Sequence, residues 1–188
     1  MQPIIVWFRQ DLRLADNPAL TEAANSGAVI PVYILDEASD ARWPPGAASK
    51  VWLHHALHSL NDSLSGKLRV YRGNPVSLLP KLLADSGARA VYWNRCYTPA
   101  SLERDHALQQ QLQDQAIEVR SFNASLLWEP WSICKADQTP YKVFTPYYRN
   151  GCLRDLPPRY PLPRPESLTF AEGPATGLQQ IDQLGLLP

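Results

Sequence analysis

The stretch Pro3–Leu20, PIIVWFRQDLRLADNPAL, starts as a short apolar strand and then turns through Arg9, Asp11, Arg13 and Asp16. A strand that turns into a helix is the unit from which parallel α/β sheets are built. In many such units the turn is glycine-rich and holds a phosphate at the helix N-terminus. This turn has no glycine. The helix after it, 18–26, is nonetheless well specified: Asn17 suits the cap, Pro18 the first helical position and Gly27 the stop.

The same alternation continues outward. Strand-like runs fall at 3–7, 28–35, 67–72, 88–94 and 117–122, and helical patterns at 18–26, 48–64, 75–86 and 99–115. Leucines at 53, 57, 60 and 64 form a clear helical stripe. Asn74-Pro75 and Thr98-Pro99 repeat the Asn17-Pro18 device, so three helices are entered by a capping side chain followed by proline. Strands alternating with helices at this spacing predict right-handed crossovers. They predict an α/β fold, a Rossmann-like five-stranded parallel sheet with helices on both faces. Ligands of such sheets bind beyond the carboxyl ends of the strands. Here those ends are Trp7-Phe8-Arg9, Leu35-Asp36 and Trp93-Asn94-Arg95.

At 188 residues the chain is long enough for one core-bearing domain, with or without an appendage. Eighteen basic and 18 acidic residues cancel, which argues against strong nucleic-acid or anionic-membrane binding by this chain alone. No apolar run approaches the ~20 residues that span a bilayer, and MQPIIVW lacks the pattern of a signal peptide. Cys96, Cys134 and Cys152 are too few and too scattered for a disulfide or zinc pattern, so reduced thiols and a cytoplasmic location are expected. Nine of the 18 prolines follow Thr139, and the last thirty-odd residues read as an extended tail rather than a packed layer.

Several chemistries are excluded. No strand is followed by GxGxxG, no GxxxxGK[ST] occurs, and there is no GxSxG elbow. His54 and His58 form an i,i+4 pair suited to a metal. The sequence puts no Glu between them and no third ligand nearby, so they read as polar residues on a helix flank and no metal is expected. The charges of RQDLRLADN read either as catalytic or as ion pairs that fix the loop, with structure favoured. Trp7, Phe8, Trp93, Tyr97 and Trp128 read first as core, and otherwise as walls of an apolar cleft for a flat organic cofactor.

VWFRQDLRLADNPAL (6–20) closely resembles the opening motif of the DNA photolyase/cryptochrome family. RGNP (72–75), Leu79-Pro80, VYWNRCYTP (91–99), Arg104-Asp105, LLWEP (126–130) and PYKVFTPYYR (140–149) follow in the family's order. The resemblance covers roughly residues 3–150. It implies the N-terminal α/β domain of a bacterial deoxyribodipyrimidine photolyase over 1–130, with an extended Pro-rich interdomain segment over 131–188 that would wrap the α/β domain. The family's C-terminal helical domain binds FAD and receives the flipped-out pyrimidine dimer. It would be the partner of this chain and its route to damaged DNA. The fragment itself is expected to be monomeric, to carry no catalytic residue and to have no repair activity.

The resemblance also implies an antenna chromophore in the α/β domain, at a cleft formed by Phe8, Arg9, Asp11, Asp36, Lys50, Leu53, Asn94 and Tyr97. Arg9 and Lys50 suit an anionic or carbonyl-rich ligand, and Phe8, Leu53 and Tyr97 its flat face. Fold maintenance is an equal reading for each. The chromophore stays open among folate, a deazaflavin, FMN or none. Ala100-Ser101 stand where a folate-binding branch has Asn-Glu, and Cys96 stands where a deazaflavin-binding branch has Asp. The run GAASKVWLHHAL (46–57) is typical of bacterial photolyase-like chains. A cryptochrome-type blue-light photoreceptor is the second reading, and a stand-alone nucleotide-binding domain the third.

Overall fold

A computed structural model describes residues 2–37, 44–154 and 157–187. The chain divides into two compact units. One comprises Met1–Ala124 with Leu162–Pro188, and the other Ser125–Pro161.

In the first unit, five strands alternate with four helices. They are β1 (Ile4–Phe8), α1 (Pro18–Ser26), β2 (Val29–Leu35), α2 (Ala47–Ser63), β3 (Arg69–Arg72), α3 (Pro75–Ser86), β4 (Ala90–Asn94), α4 (Pro99–Gln113) and β5 (Glu118–Phe122). All pairings are parallel and the strand order is β3-β2-β1-β4-β5. The five-stranded Rossmann-like sheet expected from the alternation is therefore the observed one. The order reverses between β1 and β4, the place where open α/β sheets form their ligand crevice.

The central strands are buried on both faces, which is why they read as unbroken apolar runs. The two faces separate by the period of two along a strand. Ile4, Val6 and Phe8 join the α1 and α2 side with Ala19, Leu20, Leu57, Leu60 and Leu64. Ile5 and Trp7 join the α3 and α4 side with Leu79, Leu83, Leu108 and Leu112. Each proline-entered helix is capped as its sequence indicates: Asn17 Oδ1 accepts from Leu20 N, Asn74 Oδ1 from Val76 N, and Thr98 Oγ1 from Ser101 N.

The tail departs from expectation. It is extended, but it is packed. Val29 N donates to Thr169 O and Ala171 N donates to Val29 O, so the tail pairs with the start of β2. The Tyr71 hydroxyl donates to Pro174 O at 2.7 Å. A short 3₁₀ helix, Ile181–Leu184, then buries Ile181 and Leu184 in the α1/α2 side of the core, and Leu186 follows them there. Proline density reported the absence of regular structure correctly, but a proline-rich segment can still bury its few large apolar side chains. The expected start of the tail at Leu156 lies outside the described residues.

The second unit is small. A single helical turn, Phe144–Pro146, runs into a π-helical stretch, Tyr147–Cys152. Among its described residues, Ile133, Gly151 and Cys152 are buried. A Cβ at Gly151 would lie 2.4 Å from Ile133 Cγ2, so only glycine fits that crossing. The Phe144 and Tyr148 rings stack at 5.8 Å with an interplanar angle of 6°. Among the described residues no helix is long and apolar enough to cross a membrane.

Candidate functional site

A cavity of about 300 Å³ opens at the carboxyl ends of β1 and β2. Trp7, Arg9 and Gln10 reach it from β1 and the turn that follows, and Tyr33–Glu37 from the end of β2. Lys50 and Leu53 come from α2, Cys96, Ser101 and Arg104 from the β4–α4 side, and Leu184–Leu186 from the tail. The volume is at the lower end for a small-molecule site.

The charged part is one chain of ion pairs. Arg9 Nη1 meets Asp105 Oδ2 at 2.5 Å, Arg104 Nη2 meets Asp105 Oδ1 at 3.0 Å, and Arg104 Nη1 meets Asp36 Oδ2 at 3.3 Å. Arg9 also donates to the carbonyl of Asn94. Both guanidinium groups lie over the Trp7 ring, Arg9 at 4.7 Å and Arg104 at 5.1 Å from its centroid. Trp7 packs edge-on against Trp93 at 5.7 Å. Two buried donors of this wall, Trp7 Nε1 and Arg9 Nε, have no hydrogen-bond partner among the described residues. An orphaned buried donor is costly in a finished core and ordinary in a binding wall.

Beside these ion pairs the Tyr33 hydroxyl and the Cys96 thiol are held neutral. Burial, assisted by the Asp36 charge, pushes the Tyr33 hydroxyl up to about 12, so it remains a donor. Burial raises the Cys96 thiol, and the opposing charges of Arg9 and Arg104 against Asp105 and Asp11 do not reverse this.

Beneath the cavity lies a second, closed network. Asp11 accepts from Arg9 N at 2.9 Å, from Asn94 Nδ2 at 2.5 Å and from Asn17 Nδ2 at 3.3 Å. Asn94 Nδ2 also donates to Asn17 Oδ1 at 2.7 Å, and Asn94 Oδ1 accepts from Ala19 N at 3.1 Å. The first-turn N–H groups of α1 thus go to Asn94 and Asn17. In a glycine-rich turn those groups would face a phosphate. Here side-chain amides occupy that position, so this helix end is closed to a pyrophosphate. Arg13 and Asp16 fasten the outer part of the turn: Arg13 donates to the carbonyls of Ala15, Asp16 and Ala124, and Asp16 N donates to Leu162 O.

Of the eight residues expected at the cleft, Arg9, Asp36, Lys50 and Leu53 line the cavity together. Phe8 is fully buried on the α1/α2 side of the sheet. Asp11 and Asn94 sit in the closed network, and Tyr97 is half-buried outside the cavity lining. Tyr33, Arg104 and the tail residues Leu184–Leu186 also line the cavity and were missed, and Trp7, read first as core, lines it too. For Trp7 the signal was available: strand alternation sends residues 7 and 8 to opposite faces. For the tail no local signal exists, since its approach depends on pairing across the whole unit.

Comparisons with known proteins identify the family of this fold. A family model described as DNA photolyase matches residues 4–166. A deoxyribodipyrimidine photo-lyase of Agrobacterium fabrum is 43% identical over 171 residues, which cover 89% of this chain and 35% of that protein. Cryptochrome-2 of Arabidopsis thaliana is 37% identical over 188 residues, covering 97% of this chain and 31% of that protein. Among solved structures, a bacterial class III photolyase from Agrobacterium tumefaciens has a TM-score of 0.88 at 39% identity and covers 100% of this chain and 39% of its own. The chain therefore spans about a third of the length of the curated relatives it matches. By sequence across the whole sheet unit and by superposition, it belongs to the DNA photolyase family.

Proposed function

We propose that this chain is the antenna domain of a light-dependent, FAD-dependent enzyme that splits cyclobutane pyrimidine dimers. In this reading the chain carries no catalytic residue and has no repair activity of its own. FAD and damaged DNA would be bound by a helical domain to which the Pro-rich segment leads. The observation that carries the reading is the cavity at the switch point of the sheet, with an aromatic wall and cations on its rim.

The donor set fits a flat chromophore with carbonyl or anionic groups. Trp7 and Leu53 would flank the ring. Tyr33, held protonated, and the orphaned donors of Trp7 and Arg9 would meet its acceptors. Lys50 has no ion-pair partner among the described residues and suits an anionic tail. Asp36 is held by Arg104 and fixes the floor. Phe8, Asp11, Asn94 and Tyr97 shape the site from behind. A bound chromophore of this class supplies absorption in the near-UV or blue and transfer of the excitation. The protein's part is to bind it, orient it and exclude water. Three free cysteines agree with a reducing, cytoplasmic compartment.

The test is direct. The purified chain is incubated in turn with methenyltetrahydrofolate, a deazaflavin and FMN, then gel-filtered. Co-elution of one of them near 1:1, reduced in Lys50→Ala, supports the reading and identifies the antenna. No co-elution with a folded chain would sink it. A cryptochrome-type photoreceptor is the second reading, favoured by the 37% identity to Cryptochrome-2.

A further inference from the structure

We propose that His54, His58 and Asp182 form a site for a divalent transition-metal ion, with zinc the best fit, which clasps the end of the tail onto α2. The two histidines are one helical turn apart and present their rings on the same side, with centroids 4.6 Å apart. The third ligand comes from the 3₁₀ helix of the tail. Asp182 Oδ1 lies 3.0 Å from His58 Nε2 and 3.6 Å from His54 Nε2. All three ligand atoms fall within 4.8 Å of one another.

The spacing suits the ion. Zinc bonds of about 2.0–2.2 Å to nitrogen and oxygen in a tetrahedron place neighbouring ligand atoms roughly 3.3 Å apart. The two observed distances to Asp182, 3.0 and 3.6 Å, bracket that value, and the two imidazole ligand atoms, within 4.8 Å of each other, would draw together on binding the ion by up to roughly 1.5 Å. His54 is 7% exposed and gives the site a fixed wall. His58 and Asp182 are open to solvent, with side chains 42% and 70% exposed, and give the ion its entry path. Two imidazoles and one carboxylate favour zinc, copper or nickel over magnesium or calcium, which prefer all-oxygen sites. With three protein ligands the fourth position is left to water.

The location gives the site a consequence. His54 is adjacent to Leu53 and one turn beyond Lys50, and Asp182 is two residues before Leu184. Lys50, Leu53 and Leu184 all line the cavity. An ion held between α2 and the tail would therefore tie two walls of the cavity together.

The experiment is a calorimetric titration of the tag-free chain with ZnCl₂, with wild type, His58→Ala, Asp182→Asn and His55→Ala in parallel. His55 is the control, being exposed on the same helix and absent from the cluster. The expected result is one zinc per chain, a loss of at least ~10-fold in affinity in both His58→Ala and Asp182→Asn, and no change in His55→Ala. Asp182→Asn keeps the side-chain shape and reports even if His58→Ala folds poorly. Absence of 1:1 binding in the wild type, or binding that survives Asp182→Asn, would overturn the proposal, the latter because it would place the ion on other ligands.

Discussion

Asn94 Oδ1 accepts the backbone N–H of Ala19 at 3.1 Å, so a side chain at the end of β4 closes the first turn of α1. The same amide donates to Asp11 and Asn17. One 2%-exposed residue thereby holds the charged turn, the helix cap and the two strands at the switch point. Truncation as Asn94→Ala would leave buried groups on Asp11, Asn17 and Ala19 short of partners. The expected loss is about 2–4 kcal/mol of folding stability, read from the urea midpoint. If Asn94 served only a ligand, the midpoint would stay put and only chromophore retention would fall.

Arg9 and Lys50 both line the cavity, yet their surroundings differ. The Arg9 side chain is 7% exposed, paired with Asp105, bonded to the Asn94 carbonyl and stacked over Trp7. Breaking a buried pair from one side leaves the other charge short of a partner, so Arg9→Ala should cost about 3–5 kcal/mol in denaturant unfolding. Lys50→Ala should leave the unfolding curve within about 0.5 kcal/mol and lower chromophore affinity. Equal stability in the two variants would show that Arg9 is not a structural member of the wall.

Much of this was legible in the residues, for physical reasons. Strand runs buried on both faces, and Asn-Pro or Thr-Pro helix entries, are local signals, and the elements fall within one or two residues of them. The cleft was half legible. Arg9, Asp36, Lys50 and Leu53 follow from where strands and helices must end. Phe8 lies one step of the strand period from the cavity, in the α1/α2 side of the core, and Trp7 lines it instead. Arg104 and the tail were out of reach, because Arg104 depends on one helix facing of α4. Leu184–Leu186 depend on a return of the chain that only the folded sheet enforces. Asp182 joins His58 across 124 positions for the same reason.

The packing of the tail can be tested by cutting it. Residues 169–171 pair with β2, and Tyr71 donates to Pro174 O inside the fold. Thermolysin under native conditions should therefore spare the apolar sites at Leu168, Phe170, Ile181 and Leu184 for as long as it spares the sheet. Tyr71→Phe leaves the Pro174 carbonyl without its donor, and should lower stability by about 1–2 kcal/mol and speed cleavage within 165–187. Early loss of this segment from the wild type, with the sheet intact, would contradict the packing.

Cys96 offers a pH-dependent probe of the cavity. It is 8% exposed, lines the cavity, and burial raises its thiol above the ordinary cysteine value. Only the thiolate attacks an alkylating agent. Its carboxamidomethylation, followed by peptide mass spectrometry, should therefore be much slower at pH 8 than that of the more exposed Cys134. The Cys96 rate should also keep climbing at pH values where an unperturbed thiol, titrating at about 8.5, has levelled off. The sign follows from burial: a raised value means less thiolate at every pH below it, so the reaction is suppressed from neutral pH upward until the folded-state value is passed. A chromophore in the cavity should slow Cys96 further and leave Cys134 unchanged. Equal rates at pH 8 would mean that the wall is open and the thiol ordinary, and a Cys96 rate indifferent to bound chromophore would place that ligand elsewhere.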